Sequence, residues 1–167
     1  MPVLADGGEV VREASIIVEY LMLRYPGPVR LLPSDPKAAL QVRFLDRIFD
    51  NYVMGPMQRI VGDALRGAGE RDPKGVADAK ARLAQSYEWL DGELKSRAWA
   101  TGEDFTLADC AAAPSLFYAD WVHPISERFG GLRAYRARLL KRPSFARAVE
   151  EARPCRSFFP PGAPDRD

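Results

Sequence analysis

The sequence predicts a mainly α protein in which a bundle of amphipathic helices follows a short β-hairpin. Two observations support this prediction. Apolar residues recur every three to four positions from residue 13 onward, and strand-like runs occur only in the first dozen residues. The chain has 167 residues, of which 47% are apolar and 28% charged, a composition typical of a globular protein with one sizeable core. This composition excludes disordered, collagen-like and membrane-spanning polypeptides.

Charge and cysteine content exclude several kinds of partner. Nine basic and three acidic side chains fall within residues 127–156, but they interleave with apolar residues as on solvated helices, and no aromatic platform accompanies them. Two cysteines and one histidine supply neither a disulfide framework nor a zinc site. We therefore expect no nucleic-acid, membrane or metal partner. Because no signal-peptide pattern opens the chain, we expect a cytoplasmic location.

The first predicted elements are a hairpin and a helix. Residues 3–4 and 9–11 are short strand-like runs, and the Asp6-Gly7-Gly8 connection between them is typical of a hairpin turn. From Glu13 the apolar residues take up helical spacing, and residues 26–28, Pro-Gly-Pro, end that helix.

Two long helices should follow. The first opens within residues 34–36, where a proline suits the first turn, and runs to about residue 66. Gly55-Pro56 predicts a kink rather than an end, because the apolar period resumes beyond it. The second spans about residues 73–96, and the two are expected to pack as an antiparallel pair.

A helix start with a capping box is the sharpest local signal in the sequence. Thr106 is placed as the N-cap with Asp109 three residues later, so that each side chain can bond to the backbone N–H of the other. The following residues, to about 122, are rich in alanine and aromatic residues and nearly uncharged, which predicts the most buried helix. Two final helices are predicted over residues 131–141 and 143–152.

Five stretches of the sequence match one known family in their order and spacing. They are residues 2–7, 13–21, 25–33, 106–109 and 141–145. In that order they resemble the proline-containing strand and turn, the glutathione-carboxylate helix, the linker, the capping box and the final helix pair of the cytosolic glutathione transferases, particularly the bacterial ones. The resemblance implies an all-helical glutathione-transferase C-terminal domain, preceded by a residual β-hairpin and helix of a thioredoxin-like domain.

The resemblance also implies domain boundaries. Residues 1–28 would be the last part of the thioredoxin-like domain, 29–35 the linker, 36–155 the helical domain and 156–167 a flexible tail. In the family, a strand, helix, strand and helix precede this point, and the catalytic Tyr, Ser or Cys lies at the end of that first strand. We therefore expect no catalytic residue in this chain, the residue in question lying upstream of Met1.

The co-substrate implied by the resemblance is glutathione. Met1 corresponds to the residue whose backbone pairs with the cysteinyl part of glutathione, and Pro2 to the family's cis-proline. Glu13 corresponds to the residue that holds the γ-glutamyl end, whereas Ala14 stands where the family usually places Ser. Ala14 keeps the helix N-terminal N–H but loses a hydroxyl, for which Ser15 is the candidate replacement. We expect weak or absent glutathione binding by this chain.

A pocket for a small apolar electrophile is also implied, built on the helical domain. Its candidate residues are Phe49, Asn51, Tyr52, Met57, Tyr118 and Trp121. Asn51 and Tyr52 are the favoured pair, because polar groups beside a kink on an apolar face suggest a lined cavity. For each aromatic side chain, packing in the core is the alternative role.

Two classes of function remain open. In the first, the full-length protein is an enzyme that conjugates glutathione to an apolar electrophile, or performs related thiol chemistry, and forms a homodimer. This chain would then be a truncated and catalytically impaired form. In the second, the chain is a non-catalytic helical module that binds a ligand or a protein.

Overall fold

The computed structural model describes residues 2–167 and confirms the predicted mainly α class. A two-stranded hairpin, β1 Val3–Asp6 and β2 Glu9–Arg12, precedes the helices. The helices are α1 Ala14–Arg24, α2 Pro36–Ile48, α3 Gly55–Ala64, α4 Pro73–Leu94, α5 Leu107–Val122, α6 Gly130–Lys141 and α7 Pro143–Ala152. Short 3₁₀ turns cover Ala68–Glu70 and Arg153–Phe158.

The hairpin is antiparallel, with Val3 opposite Arg12 and Asp6 opposite Glu9. Its two-residue turn, Gly7-Gly8, has positive φ at both positions, as the twist of a tight hairpin favours. The hydroxyl of Tyr20 in α1 donates to Asp6 at 3.0 Å, which ties the hairpin to the helix that follows.

The long kinked helix contains a π-helical segment, Phe49–Met54, between α2 and α3. Pro56 has no N–H to donate to the carbonyl of Tyr52, four residues earlier. The Ser86 hydroxyl of α4 donates to that carbonyl at 2.9 Å, and the Gly55 N–H reaches back five residues to the Asp50 carbonyl. The predicted kink is therefore spread over one wide turn, as is common where a proline interrupts the backbone ladder.

The core lies where α2, α3, α4, α5 and α6 meet. Its fully buried side chains include Leu45, Phe49, Val53, Leu83, Tyr87, Leu90, Leu116, Leu132 and Tyr135. Ten of the sixteen residues of α5 are buried, more than in any other helix of the described chain, as its uncharged sequence predicts. The linker packs on this helix through a 2.9 Å bond from the Leu107 N–H to the Leu31 carbonyl.

The predicted capping box is present at the start of α5. The Thr106 N–H donates to the buried carboxylate of Asp109 at 2.8 Å. The same carboxylate accepts from the Ala100 N–H at 2.8 Å and from the Tyr135 hydroxyl of α6 at 2.6 Å. Burial and the Asp109 charge raise the pKa of Tyr135, so its hydroxyl stays a donor. Asp109 therefore joins the start of α5 to the preceding loop and to α6.

Candidate functional site

The N-terminus of α1 is the part of the chain implied in glutathione binding. Glu13 is its N-cap residue and has φ 71° and ψ 130°. A positive φ is uncommon for a residue with a Cβ, and such strain tends to occur at functional positions. Ala14 begins the helix, and both residues are exposed. Pro2 is also exposed, whereas Met1 and its bond to Pro2 lie outside the described residues.

Ser15 is held by α2. Its hydroxyl contacts both carboxylate oxygens of Asp46 at 3.0 Å, and Asp46 is almost fully buried. Arg47 donates to the Ser15 hydroxyl at 3.0 Å and to the carboxylates of Asp46 and Asp50 at 2.7 Å. Burial, together with the charge of Asp46, raises the pKa of Asp50. The Ser15 hydroxyl proton is therefore committed to Asp46, and Arg47 supplies the positive charge beside the start of α1.

An apolar cavity of about 470 Å³ lies between α3, α5, α7 and the residues after α7. Three of the sequence-predicted substrate residues, Met57, Tyr118 and Trp121, line it together. The Tyr118 and Trp121 rings meet edge to face at 5.5 Å between centroids. A cavity of this size, lined mainly by aromatic and aliphatic side chains, suits a small apolar ligand.

The structure does not bring the other three predicted residues into this cavity. Phe49 lies in the core, fully buried and stacked on Tyr135 with centroids 6.4 Å apart. Tyr52 is exposed and lines a separate depression with Trp89 of α4. Asn51 lines a third depression, beside α4. An α-helical period already turns Asn51 to the face opposite Phe49, and the wider π-helical turn further separates Tyr52 from Phe49.

Part of the cavity wall comes from residues that the family resemblance assigns to a flexible tail. Phe158, Phe159 and Pro160 line the cavity. The Phe159 ring stacks on Tyr118 with centroids 5.7 Å apart and an angle of 19°. In the sequence, the only signal for this role is the aromatic pair Phe158-Phe159 before two prolines. The fold is needed to show that these rings line the cavity. The mobility of this tail stays a prediction.

The two thiols differ in their surroundings. Burial raises the pKa of Cys110 to about 11, so its thiol is protonated at neutral pH and is a poor nucleophile. Cys155 is exposed and lies at the cavity wall. Within residues 2–167 there is no cluster of three His, Cys, Asp or Glu side chains that could hold a metal ion. In the same residues, no helix combines the length and hydropathy needed to cross a membrane.

Comparisons with known proteins agree on one family. Residues 73–138 match the family described as "Glutathione S-transferase, C-terminal domain". A probable glutathione S-transferase of Nicotiana tabacum is 32% identical over 130 residues, which cover 78% of this chain and 52% of that protein. A stringent starvation protein A homolog of Coxiella burnetii is 28% identical over 154 residues, covering 91% of this chain and 69% of that protein.

A solved structure is similar in both sequence and fold. The glutathione S-transferase of Methylobacterium radiotolerans, crystallised in complex with glutathione sulfonate, is 29% identical with a TM-score of 0.75. The match covers 89% of this chain and 71% of that one. The chain spans about half the length of three plant relatives that it matches, 52–55%, and 67–71% of three others.

Proposed function

Because this chain belongs to the glutathione S-transferase family, we propose that it supplies the helical, substrate-binding part of an enzyme that conjugates glutathione to a small apolar electrophile, or performs related thiol chemistry. The observation that carries the proposal is the aromatic cavity of Met57, Tyr118 and Trp121. An apolar electrophile would bind to this wall because binding buries its apolar surface away from water. Stacking on the rings would fix its orientation.

Glutathione would approach the start of α1. The N–H groups of the first turn and the Arg47 guanidinium would attract the γ-glutamyl carboxylate, and the exposed Glu13 carboxylate would receive its ammonium. Binding by this chain is expected to be weak, because Ala14 has no hydroxyl and the Ser15 proton is committed to Asp46. Asp46 and Asp50 add negative charge that opposes an anion there.

The reaction itself requires a thiolate. A free thiol has a pKa of about 8.5, so at neutral pH a hydrogen-bond donor at the sulfur would raise the thiolate fraction. The sulfur would then bond to the electrophilic carbon as the leaving group departs with its electron pair. We assign this donor to no residue of the chain, and therefore propose that the chain alone is catalytically impaired.

Activity measured on two forms of the protein tests this function. The 167-residue chain should conjugate glutathione to 1-chloro-2,4-dinitrobenzene at no more than the uncatalysed rate, whereas the native gene product should accelerate the reaction. Turnover by the chain alone, or its retention on immobilised glutathione and release by free glutathione, would contradict the proposed impairment. An inactive native product of 18.6 kDa would overturn the enzyme proposal.

A second candidate is a non-catalytic module that uses the same cavity. Two observations favour it. The Ser15 hydroxyl is already bonded within the chain, and the Coxiella burnetii relative that covers 91% of this chain is not named as a transferase. A module of this kind would bind apolar ligands with no dependence on glutathione.

The proposed domain organisation keeps residues 1–28 as the end of a thioredoxin-like domain, 29–35 as a linker and 36–155 as the helical domain. Contacts between α1 and α2 support a fixed junction. Arg43 forms a two-pronged ion pair with Glu19 at 2.9 and 2.7 Å, and Ser15 bonds to Asp46. The proposed location is the cytoplasm.

A homodimer is the proposed assembly, formed through an exposed apolar patch on α2 and α4. Phe44 and Trp89, 46% and 41% exposed, meet edge to face at 6.1 Å, and Leu40 lies beside them on α2. Apolar side chains clustered in this way favour an interface, because burying them releases water from both copies.

Replacing one ring of this patch by a charge tests the interface. Phe44→Asp should shift a dimer toward monomer by placing an unpaired carboxylate in the interface, and sedimentation equilibrium would measure the change. Leu23→Asp is the matched control, because Leu23 is an 86% exposed leucine on α1 that is not part of the patch. Equal association of both variants and the wild type would exclude this face as the interface.

A further inference from the structure

The segment after α7 returns across the bundle and covers the apolar cavity. We call residues 153–167 the strap. Near its start, Phe158, Phe159 and Pro160 form part of the cavity wall. Phe159 contacts two rings of the cavity, stacking on Tyr118 and meeting Trp121 edge to face at 5.1 Å. A ligand in the cavity would therefore touch the strap as well as the helices.

The far end of the strap is anchored on α5. Arg166 donates to the carboxylate of Asp120 and, at 2.8 Å, to its backbone carbonyl. Asp120 is almost buried and also accepts from the Ile125 N–H at 2.7 Å, so its position is fixed without Arg166. Arg136 of α6 lies 3.3 Å from the same carboxylate and would keep it neutralised if Arg166 left.

A second ionic contact closes the strap on itself. The Asp167 carboxylate accepts from Arg153 at 3.1 Å and from Arg156. Arg156 also lies over the Trp121 ring, 5.2 Å from its centroid. The pairs with Asp167 therefore join the two ends of the strap, and the Arg166–Asp120 pair holds them on α5.

Docking of the strap leaves one buried N–H group without a partner. Within residues 2–167, Trp121 Nε1 is buried and lacks a hydrogen bond, whereas Arg136 Nη2, which also makes none, lies 3.3 Å from the Asp120 carboxylate as its ion-pair partner. The strap covers Trp121, since Phe159 and Arg156 lie on its ring. An unpaired buried donor opposes burial, because water would satisfy it in an open state. The ion pair that favours closure is therefore opposed by the unpaired Trp121 donor.

We propose that the strap is a gate for the apolar cavity, latched by Arg166 on Asp120. The gate opens when this ion pair breaks, which frees Phe159 to leave Tyr118 and lets an apolar ligand enter. The inference rests on the proposed function only in taking the cavity as a ligand site, and it needs no glutathione chemistry.

Entry of a neutral apolar dye tests the gate. N-phenyl-1-naphthylamine gains fluorescence in apolar surroundings, and stopped-flow mixing measures how fast it enters. Arg166→Ala should raise the entry rate by about 5-fold, the effect of losing one charge-assisted contact. Because Arg166 is partly exposed, added NaCl should speed entry into the wild type and have little effect on Arg166→Ala.

The matched control is Arg147→Ala, which removes an exposed ion pair with Glu151 on α7. The dye should enter this variant at the wild-type rate and with the wild-type dependence on salt. Hydrogen exchange supplies a readout without the dye, because Arg166→Ala should speed exchange in residues 156–163 and leave α4 and α5 unchanged. Equal entry rates for wild type and Arg166→Ala, faster exchange throughout the bundle, or no dye binding by any variant would each overturn the gate. Absence of transferase activity would bear only on the proposed function.

Discussion

Asp109→Ala is expected to lower the free energy of unfolding by about 3 kcal/mol or more. The Asp109 carboxylate is fully buried and accepts from the N–H groups of Thr106 and Ala100 and from the Tyr135 hydroxyl. Its removal leaves these buried donors unpaired, each at a cost of about 1–3 kcal/mol, and also removes the cap of α5.

Urea unfolding followed by circular dichroism would measure this change. Asp104→Ala is the matched control, because Asp104 is an exposed aspartate in the same loop and should change stability by less than about 0.5 kcal/mol. Asp109→Asn keeps an acceptor oxygen but adds an N–H₂ group among buried donors, so its stability should lie between those of Asp109→Ala and the wild type. An Asp109→Ala variant as stable as Asp104→Ala would show that this network contributes little.

Phe49→Ala is also expected to have a large effect. It should lower the free energy of unfolding by about 3–5 kcal/mol. Phe49 is fully buried and stacked on Tyr135, so truncation leaves a cavity in the core and removes the ring contact. Because its side chain does not line the apolar cavity, the folded variant should bind an apolar dye as the wild type does.

Tyr52→Ala is the control for the core role of Phe49, because it also removes an aromatic ring from the kinked helix. Tyr52 lies three residues along the chain and is 54% exposed, so its truncation should leave the free energy of unfolding within about 0.5 kcal/mol of the wild type. Met57→Ala, at the cavity wall, should instead weaken dye binding. If Phe49→Ala had wild-type stability but bound the dye poorly, Phe49 would belong to the substrate site, as the family resemblance implies.

Whether a feature of the fold or of the candidate site is predictable depends on how far apart in the sequence its interacting groups lie. The capping box depends on Thr106 and Asp109, three residues apart, and is predictable because both ends of the interaction belong to one helical turn. The bond between Ser15 and Asp46 spans 31 residues, and no local pattern in the sequence indicates it. The resemblance therefore identified the start of α1 as a binding region but not the partner that engages its hydroxyl.

By itself, the sequence determined the mainly α class, the hairpin, the site of the kink, the cap of α5 and the burial of that helix. Each follows from residue spacing within a few turns, where backbone geometry fixes which side chains are neighbours. Only the tertiary structure decided that Phe49 packs in the core while Tyr52 faces outward, because the π-helical segment changes the direction of each side chain after it begins. It alone also placed Phe159 on Tyr118 and Arg166 on Asp120, since contacts between residues some forty positions apart depend on how the helices pack.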